Sequence, residues 1–360
     1  MLALLLTIPV LLALVIVTAY AERKVAAWMQ DRVGPDLAGP YGLLQPVADV
    51  LKLLQKEYIR PAAADPWLFG LAPVLVFGAV LAGFAVLPVA PGVQASNAPT
   101  GVFYLLAIVS LDVVGLLLAG WSSGNKFAVL GALRAVAQIV SYEVPIGLAV
   151  LAVALLGGSL DLQTLSYQQD ILSPETNYLF GIKALGLDVT HVGGLLTWNI
   201  VRMPALTVGF LIYYIAALAE CNRAPFDLPE AESELVAGIY TEYSGFRYAA
   251  FFLAEYAMMV LVCVVAAVLF LGSWNTPLPN LGPVRLADWT TGAPGTIRGV
   301  AWGAGWLTLK VLTLLFGQLW ARWTYPRLRV DQLLRLCWKV LTPAALALVV
   351  AVALWKVLMM

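Results

Sequence analysis

Six carboxylates, Glu220, Asp227, Glu230, Glu232, Glu234 and Glu242, fall within residues 220–242, directly after an apolar run of membrane-spanning length. A carboxylate beside or inside hydrocarbon is costly, so it is usually paired, protonated or used to move charge. Glu230 and Glu234 stand four residues apart, where like charges share one helix face and repel. Nearby in sequence, Arg223 and Arg247 are the only compensating cations. Partly desolvated acids with too few partners titrate together and hold protons near neutral pH. The segment is therefore a candidate proton-handling site or electrostatic switch. Residues 227–232 also have the form of an ordinary helix start, with Pro229 early and acids on the positive end of the dipole.

Two further acids lie inside apolar runs. Glu143 sits in VSYEVPIG and Glu255 in FFLAEYAMMV. An ionisable side chain at membrane depth is a functional candidate by default. Structural pairing is the competing explanation, and Lys310 is the one basic residue at similar depth. Asp112 is a weaker candidate, suited to capping a helix or binding a water. A single loop histidine, His191, and three scattered cysteines, Cys221, Cys263 and Cys337, give no haem, zinc or iron–sulfur ligand set. The chain is expected to bind no metal and no redox cofactor of its own, and no nucleotide-binding glycine fingerprint follows a strand.

These residues must be positioned by membrane helices. With 61% hydrophobic and 12% charged residues, the composition is that of an integral membrane protein. Uncharged runs near the spanning length predict eight helices at about 2–20, 67–87, 101–120, 138–157, 203–220, 248–272, 302–321 and 340–357. The fold class is all-α, a single polytopic membrane domain over residues 1–360. The first run has no basic leader, and Glu22, Arg23 and Lys24 follow it where a cleavage site would need small residues, so it reads as a retained span. Most of the 21 basic residues, among them Arg23, Lys52, Arg134, Arg223, Arg322 and Arg327, follow spans 1, 3, 5 and 7. That side should face the cytoplasm, with both termini outside and the acidic loop at 220–247 cytoplasmic. The loops at 88–100, 158–200 and 273–300 read as plain connectors.

Residues 42–57 form an amphipathic pattern. Leu43, Leu44, Val47, Val50, Leu51 and Leu54 follow helical spacing on one face, and Gln45, Asp49, Lys52, Gln55 and Lys56 take the other. The segment is too short and too charged to span, so it is expected to lie in the interface plane or against a partner subunit. Gly34-Pro35, Gly39-Pro40 and Gly42 mark turns before it. Arg23 and Arg32 sit at headgroup depth, as interface anchors or as partners for Glu22, Asp31 or the more distant acids.

Seven stretches resemble one family. They are ERK at 22–24, RVGP at 32–35, GPYGLLQPVADVLKLLQKE at 39–57, GALRAVAQIVSYEVP at 131–145, AECNRAPFDLPEAESELVAG at 219–238, EYSGFRYAAFFLAEY at 242–256 and YPRLRVDQLL at 325–334. The chain resembles the quinone-site membrane subunit of bacterial respiratory complex I, the NADH–quinone oxidoreductase. The similarity runs from the first span to the last and leaves out the outside loops. Cys221 stands where a Thr is common in the family, and the resemblance implies no role for Asp112.

The resemblance implies a bacterial inner-membrane subunit under a hydrophilic arm that oxidises NADH. Quinone would be the substrate, and NADH, FMN and the iron–sulfur clusters would be handled by partner subunits. Further partners would be the small membrane subunits leading to antiporter-like subunits, and membrane lipid; nucleic acid is not expected. By motif, Glu220, Asp227, Glu230, Glu232, Glu234 and Glu242 would link the quinone chamber to the membrane interior, and Glu143 and Glu255 would continue the proton path. Glu22, Arg23, Arg32, Asp49, Lys52 and Arg223 would surround the chamber. The alternatives are the homologous subunit of a membrane-bound hydrogenase-type complex and a free-standing proton-coupled transporter. The latter predicts internal repeats and a midplane site, and neither is apparent in the sequence.

Overall fold

The computed structural model describes residues 2–173, 176–183, 186–229, 232–281 and 283–359. Helix α1 spans Leu2–Met29, α2 Gln45–Gln55, α3 Pro66–Gly83, α4 Gly101–Val109, α5 Leu111–Ser122 and α6 Lys126–Gly157. Then come α7 Leu162–Tyr167, α8 Asn199–Arg202, α9 Ala205–Glu220, α10 Glu232–Leu235 and α11 Gly245–Phe270. The chain ends with α12 Leu286–Thr290, α13 Ile297–Thr324, α14 Val330–Leu336 and α15 Thr342–Met359, the last two joined by a π-turn at Cys337–Leu341. Two short hairpins, β1 Pro88–Ala90 with β2 Val93–Gln94 and β3 Asn280–Leu281 with β4 Val284–Arg285, close loops.

The all-α membrane architecture expected from composition is present. Among the described residues, six helical stretches are long and apolar enough to cross a bilayer: Pro66–Val86, Gly101–Ser122, Lys126–Gly157, Gly245–Phe270, Ile297–Thr324 and Val330–Met359. The 28-residue α1 and the 16-residue α9 occupy the other two predicted places. At 1.5 Å per residue α9 is only about 24 Å long. The predicted span at 101–120 is the stretch Gly101–Ser122, divided into α4 and α5 at Ser110, which keeps right-handed helical angles with ψ flattened to −17°. The predicted span at 138–157 is the second half of the 32-residue α6, whose first turns run out among charged loops.

Helix α11 is the axis of the core, with Ala257–Phe270 buried almost without a break. A helix apolar all round must be enclosed by other helices, and α1, α3, α9 and α13 pack around it. A second core region joins Phe69, Val76, Leu116, Ala132, Ile139, Tyr243 and Phe251, with the Phe69 and Tyr243 rings stacked at 4.1 Å.

The ends of the bundle differ. The acidic loop, α2 and the charged ends of α1, α6 and α13 share one end, hereafter the loop end. There the chain after α10 lies directly on α6. Gly238 has φ of +53°, which favours glycine, and a Cβ on Gly131 would come within 3.1 Å of its Cα and crowd that backbone.

The far end is not a set of plain connectors. Helix α11 terminates there, and its last carbonyls need partners. Gln169 Nε2 donates to Val268 O at 3.0 Å, and Asn199 Nδ2 donates to Leu269 O at 2.7 Å. Gln169 Oε1 accepts from the N–H groups of Asn199 and Gly272, both at 3.1 Å. These side chains are buried. The polar composition of the 158–200 loop thus serves helix termination as well as solubility.

Candidate functional site

Helix α2 covers Gln45–Gln55 rather than 42–57. Gly42, at φ +76°, cannot join a helix, and Lys56 is already extended, with ψ 139°. Leu43 and Leu44 just before it, and Val47, Leu51 and Leu54 within it, stay exposed, turned away from the chain. Its other face meets α1 and α11 across a cavity of about 300 Å³. Val15, Ile16, Ala19, Phe252 and Leu253 give that cavity apolar walls, and Arg23, Asp49, Lys52, Lys56, Tyr248 and Tyr256 give it polar ones. Arg23 pairs with Asp49 at 2.5 Å, and Asp49 also accepts from Gln45 Nε2 at 3.1 Å. The charged residues that would be outward-facing on a free interfacial helix here line the cleft against α1 and α11, where Arg23, Lys52 and Lys56 stay exposed and Asp49 is half-buried. Arg32 stands apart, exposed and bonded through Nε to Gln30 at 2.7 Å.

Behind this cavity lies a buried ionic centre. The Arg223 guanidinium is in ion-pair contact with Glu255 of α11 and lies 3.4 Å from Glu22 of α1. Arg322 from α13 also contacts Glu22. Arg223 is 4% exposed, and Tyr256 offers its ring face at 4.4 Å. Two acids and two arginines from α1, α11, α13 and the acidic loop thus neutralise one another. Burial without such pairing would cost several kcal/mol per ion. Glu255 is a paired acid in this state.

Beside this centre, other acids line cavities. Glu143 and Glu220 line one cavity of about 360 Å³, walled by Leu105, Leu106, Val150, Leu261 and Val265. Glu220 also lines a second, much smaller cavity of about 20 Å³ with Asp112 and Glu255. Glu220 is the residue common to both. Glu143 Oε1 and Asp112 Oδ1 are buried without a hydrogen-bond partner. Asp112 belongs to this group although its sequence context gives no motif. The one available signal was an acid in a run that is otherwise LLAIVSL and VVGLLLAG.

The remaining loop acids are not one continuous cluster. Asp227 pairs with Arg327 at 2.7 Å and Glu234 with Arg134 at 2.5 Å. Glu242 accepts from Asn125 Nδ2 at 2.7 Å. Compensation comes from residues about a hundred positions away, which counting nearby Arg223 and Arg247 does not reveal. Arg247 itself stacks on Tyr58 at 4.2 Å. Glu230 and the side chain of Glu232 lie outside the described residues.

Lys310 does not reach the acids at the loop end. It is buried, and its Nζ donates to Ser273 O at 2.8 Å and Asn275 O at 2.6 Å, 4.2 Å from the Trp198 ring centre. It fastens α13 to the far-end loop. Asp170 in that loop interacts with it electrostatically; burial raises the Asp170 carboxyl above its usual value, and the Ile171 and Leu172 N–H groups and Lys310 oppose the shift. Among the described residues, no group of three His, Cys, Asp or Glu side chains has metal-binding geometry.

Comparison with known proteins adds the context for this geometry. The NADH dehydrogenase family model matches residues 1–353. An H-type subunit of NADH-quinone oxidoreductase from Cytophaga hutchinsonii, the second of that type by its name, is 56% identical over 363 residues, covering 100% of both chains. The H-type NADH-quinone oxidoreductase subunit of Chlorobium luteolum is 48% identical over 94% of this chain and 84% of its own length. The Chlorobaculum parvum protein of the same name is 47% identical, over 94% and 87%.

Proposed function

The chain belongs to the NADH dehydrogenase family, the H-type membrane subunits of complex I, and on that premise we propose how its acids couple quinone chemistry to proton movement. It is a membrane subunit of NADH:quinone oxidoreductase. The cavity between α1, α2 and α11 takes part of the quinone, with the apolar walls Val15, Ile16, Phe252 and Leu253 along the tail and Arg23, Asp49 and Lys52 toward the headgroup. The rest of the quinone site and the NADH, FMN and iron–sulfur centres belong to the hydrophilic-arm subunits. Small membrane subunits continue the path toward the antiporter-like ones. The loop end faces the cytoplasm of the inner membrane, and both termini face outward.

Quinone reduction adds two electrons and two protons at the chamber. Arg223 and Arg322 pair with Glu22 and Glu255 while the chamber is at rest. A proton or charge drawn toward the reduced headgroup disturbs that balance. Two unit charges roughly 10 Å apart interact by about 1.7 kcal/mol at an effective dielectric of 20, more than tenfold in a protonation equilibrium. Glu255 faces Asp112 and Glu220 across the small cavity, and Glu220 faces Glu143 across the larger one. The loop acids Asp227, Glu230, Glu232, Glu234 and Glu242 set the field at the cytoplasmic end of the same path.

The observation that carries this reading is Glu220, a buried acid common to two cavities that together line up Glu255, Asp112 and Glu143. Glu143→Gln in the assembled complex tests it: protons translocated per NADH should fall while electron transfer to an artificial acceptor persists. Full translocation in that variant overturns the relay.

A further inference from the structure

Ser110 is the junction between α4, which ends at Val109, and α5, which starts at Leu111; its backbone stays right-handed helical, with ψ flattened to −17°. Its Oγ donates to Leu106 O at 2.8 Å, and its N–H reaches the same carbonyl at 3.2 Å. A serine hydroxyl bonded back to the i−4 carbonyl competes with the regular helix ladder and bends it. The same side chain is within hydrogen-bonding reach of the Glu143 carboxyl, and both residues line the 360 Å³ cavity. Ser110 therefore has one hydroxyl hydrogen and two acceptors.

We propose that Ser110 is a positioning residue whose hydroxyl reads the protonation state of Glu143 and passes it to the α4–α5 junction. This rests on Glu143 being a relay acid. When Glu143 is protonated, its O–H donates to Ser110 Oγ, and the Ser110 hydrogen stays on Leu106 O. When Glu143 is ionised it can only accept, so the hydroxyl turns to it. Leu106 O then keeps the backbone N–H alone. Charge-assisted hydrogen bonds are roughly twice as strong as neutral ones, so the turned state is favoured as long as the carboxylate is charged. Two residues on, Asp112 occupies the first turn of α5 and lines the second cavity. A change in the bend at Ser110 thus re-aims Asp112 relative to Glu220 and Glu255, joining the two cavities mechanically.

The other titratable groups around Glu143 are few. Asp112 comes from α5, and Glu220 and Tyr213 from α9; α11 presents Leu261, Val262 and Val265. From the C-terminal helices, Cys337 bonds Ser141 O and Lys356 bonds Leu155 O, on other turns of α6. Arg134 of α6 is engaged at the loop end by Glu234. Two hydroxyls share the cavity wall with Glu143, Ser110 and Tyr213, and the Tyr213 hydroxyl donates to Val262 O at 3.1 Å.

The test uses the whole complex in membranes, with Ser110→Ala, Ser110→Thr and Glu143→Gln. Infrared difference spectra between oxidised and NADH-reduced enzyme identify the Glu143 carboxylic band by its loss in Glu143→Gln. In Ser110→Ala that band should move to higher wavenumber, because the protonated carboxyl loses its hydrogen-bond partner, and protons per NADH should fall. Ser110→Thr, which keeps the hydroxyl, should restore both. A band at the wild-type position in Ser110→Ala, or undiminished translocation there while Glu143→Gln loses it, overturns the Ser110 proposal alone. Full translocation in Glu143→Gln overturns the relay reading and this proposal with it.

Discussion

Arg223, the first cation of the acidic loop, is in ion-pair contact with Glu255, ten residues into α11. The contact ties a loop outside the apolar span to an acid within it, and Glu22 and Arg322 complete the balance from α1 and α13. Removing one partner of such a set leaves a buried charge uncompensated. Arg223→Ala should destabilise the protein by about 3–5 kcal/mol. Thermal unfolding of the purified complex measures this, and Arg223→Lys should recover part of the loss. An unchanged melting temperature in Arg223→Ala would contradict the pairing.

The chamber assignment has its own test. A photoreactive quinone analogue should label residues of α1 and α2 around Val15, Ala19 and Leu53, and Phe252 of α11. Labelling confined to other subunits would count against the cavity.

Lys310 should matter for the far end and not for proton transfer. Lys310→Met leaves the Ser273 and Asn275 carbonyls without their donor, at about 1–3 kcal/mol for each buried group left unmade. Faster proteolysis of the 273–300 loop with unchanged protons per NADH is the expected pair of results. Lost translocation with an intact loop would place Lys310 on the path instead.

Asp188, in the same far-end region, gives an acid-limb prediction. Its carboxyl accepts from the Thr190 hydroxyl at 2.6 Å and the Thr190 N–H at 2.8 Å, and these bonds hold it below its ordinary value of 3.8. A depressed folded value means the stabilisation is present above pH 3.8 and is lost as pH falls through the folded value. Hydrogen exchange around the Tyr178–Asp188 bridge should therefore quicken below that pH, after correction for intrinsic rates. Asp188→Asn should remove this acid sensitivity.

Much of the site was legible because the relevant residues break strong local patterns. Glu143, Glu220 and Glu255 are ionisable groups in apolar runs, and α2 announces itself by periodicity. What pairs with what was not legible. Arg327 and Arg134 reach Asp227 and Glu234 from about a hundred residues away, and such contacts are set by helix packing, not by spacing. The two faces of α2 were visible, but which one turns inward depends on where α1 and α11 lie. Asp112 reads as an isolated acid until α5 is folded beside Glu220. The far-end loops read as connectors because Gln, Asn and Thr look the same whether they meet water or the terminal carbonyls of α11.

The relay stands or falls on Glu220, which borders both inner cavities and closes the apolar α9. Glu220→Gln keeps the side chain's shape and removes its proton chemistry. Proton translocation per NADH, measured in sealed vesicles alongside the electron-transfer rate, is the most direct test. The expected result is assembled complex with electron transfer to quinone impaired or uncoupled and protons per NADH clearly reduced. Wild-type electron transfer with a full complement of protons would contradict the relay.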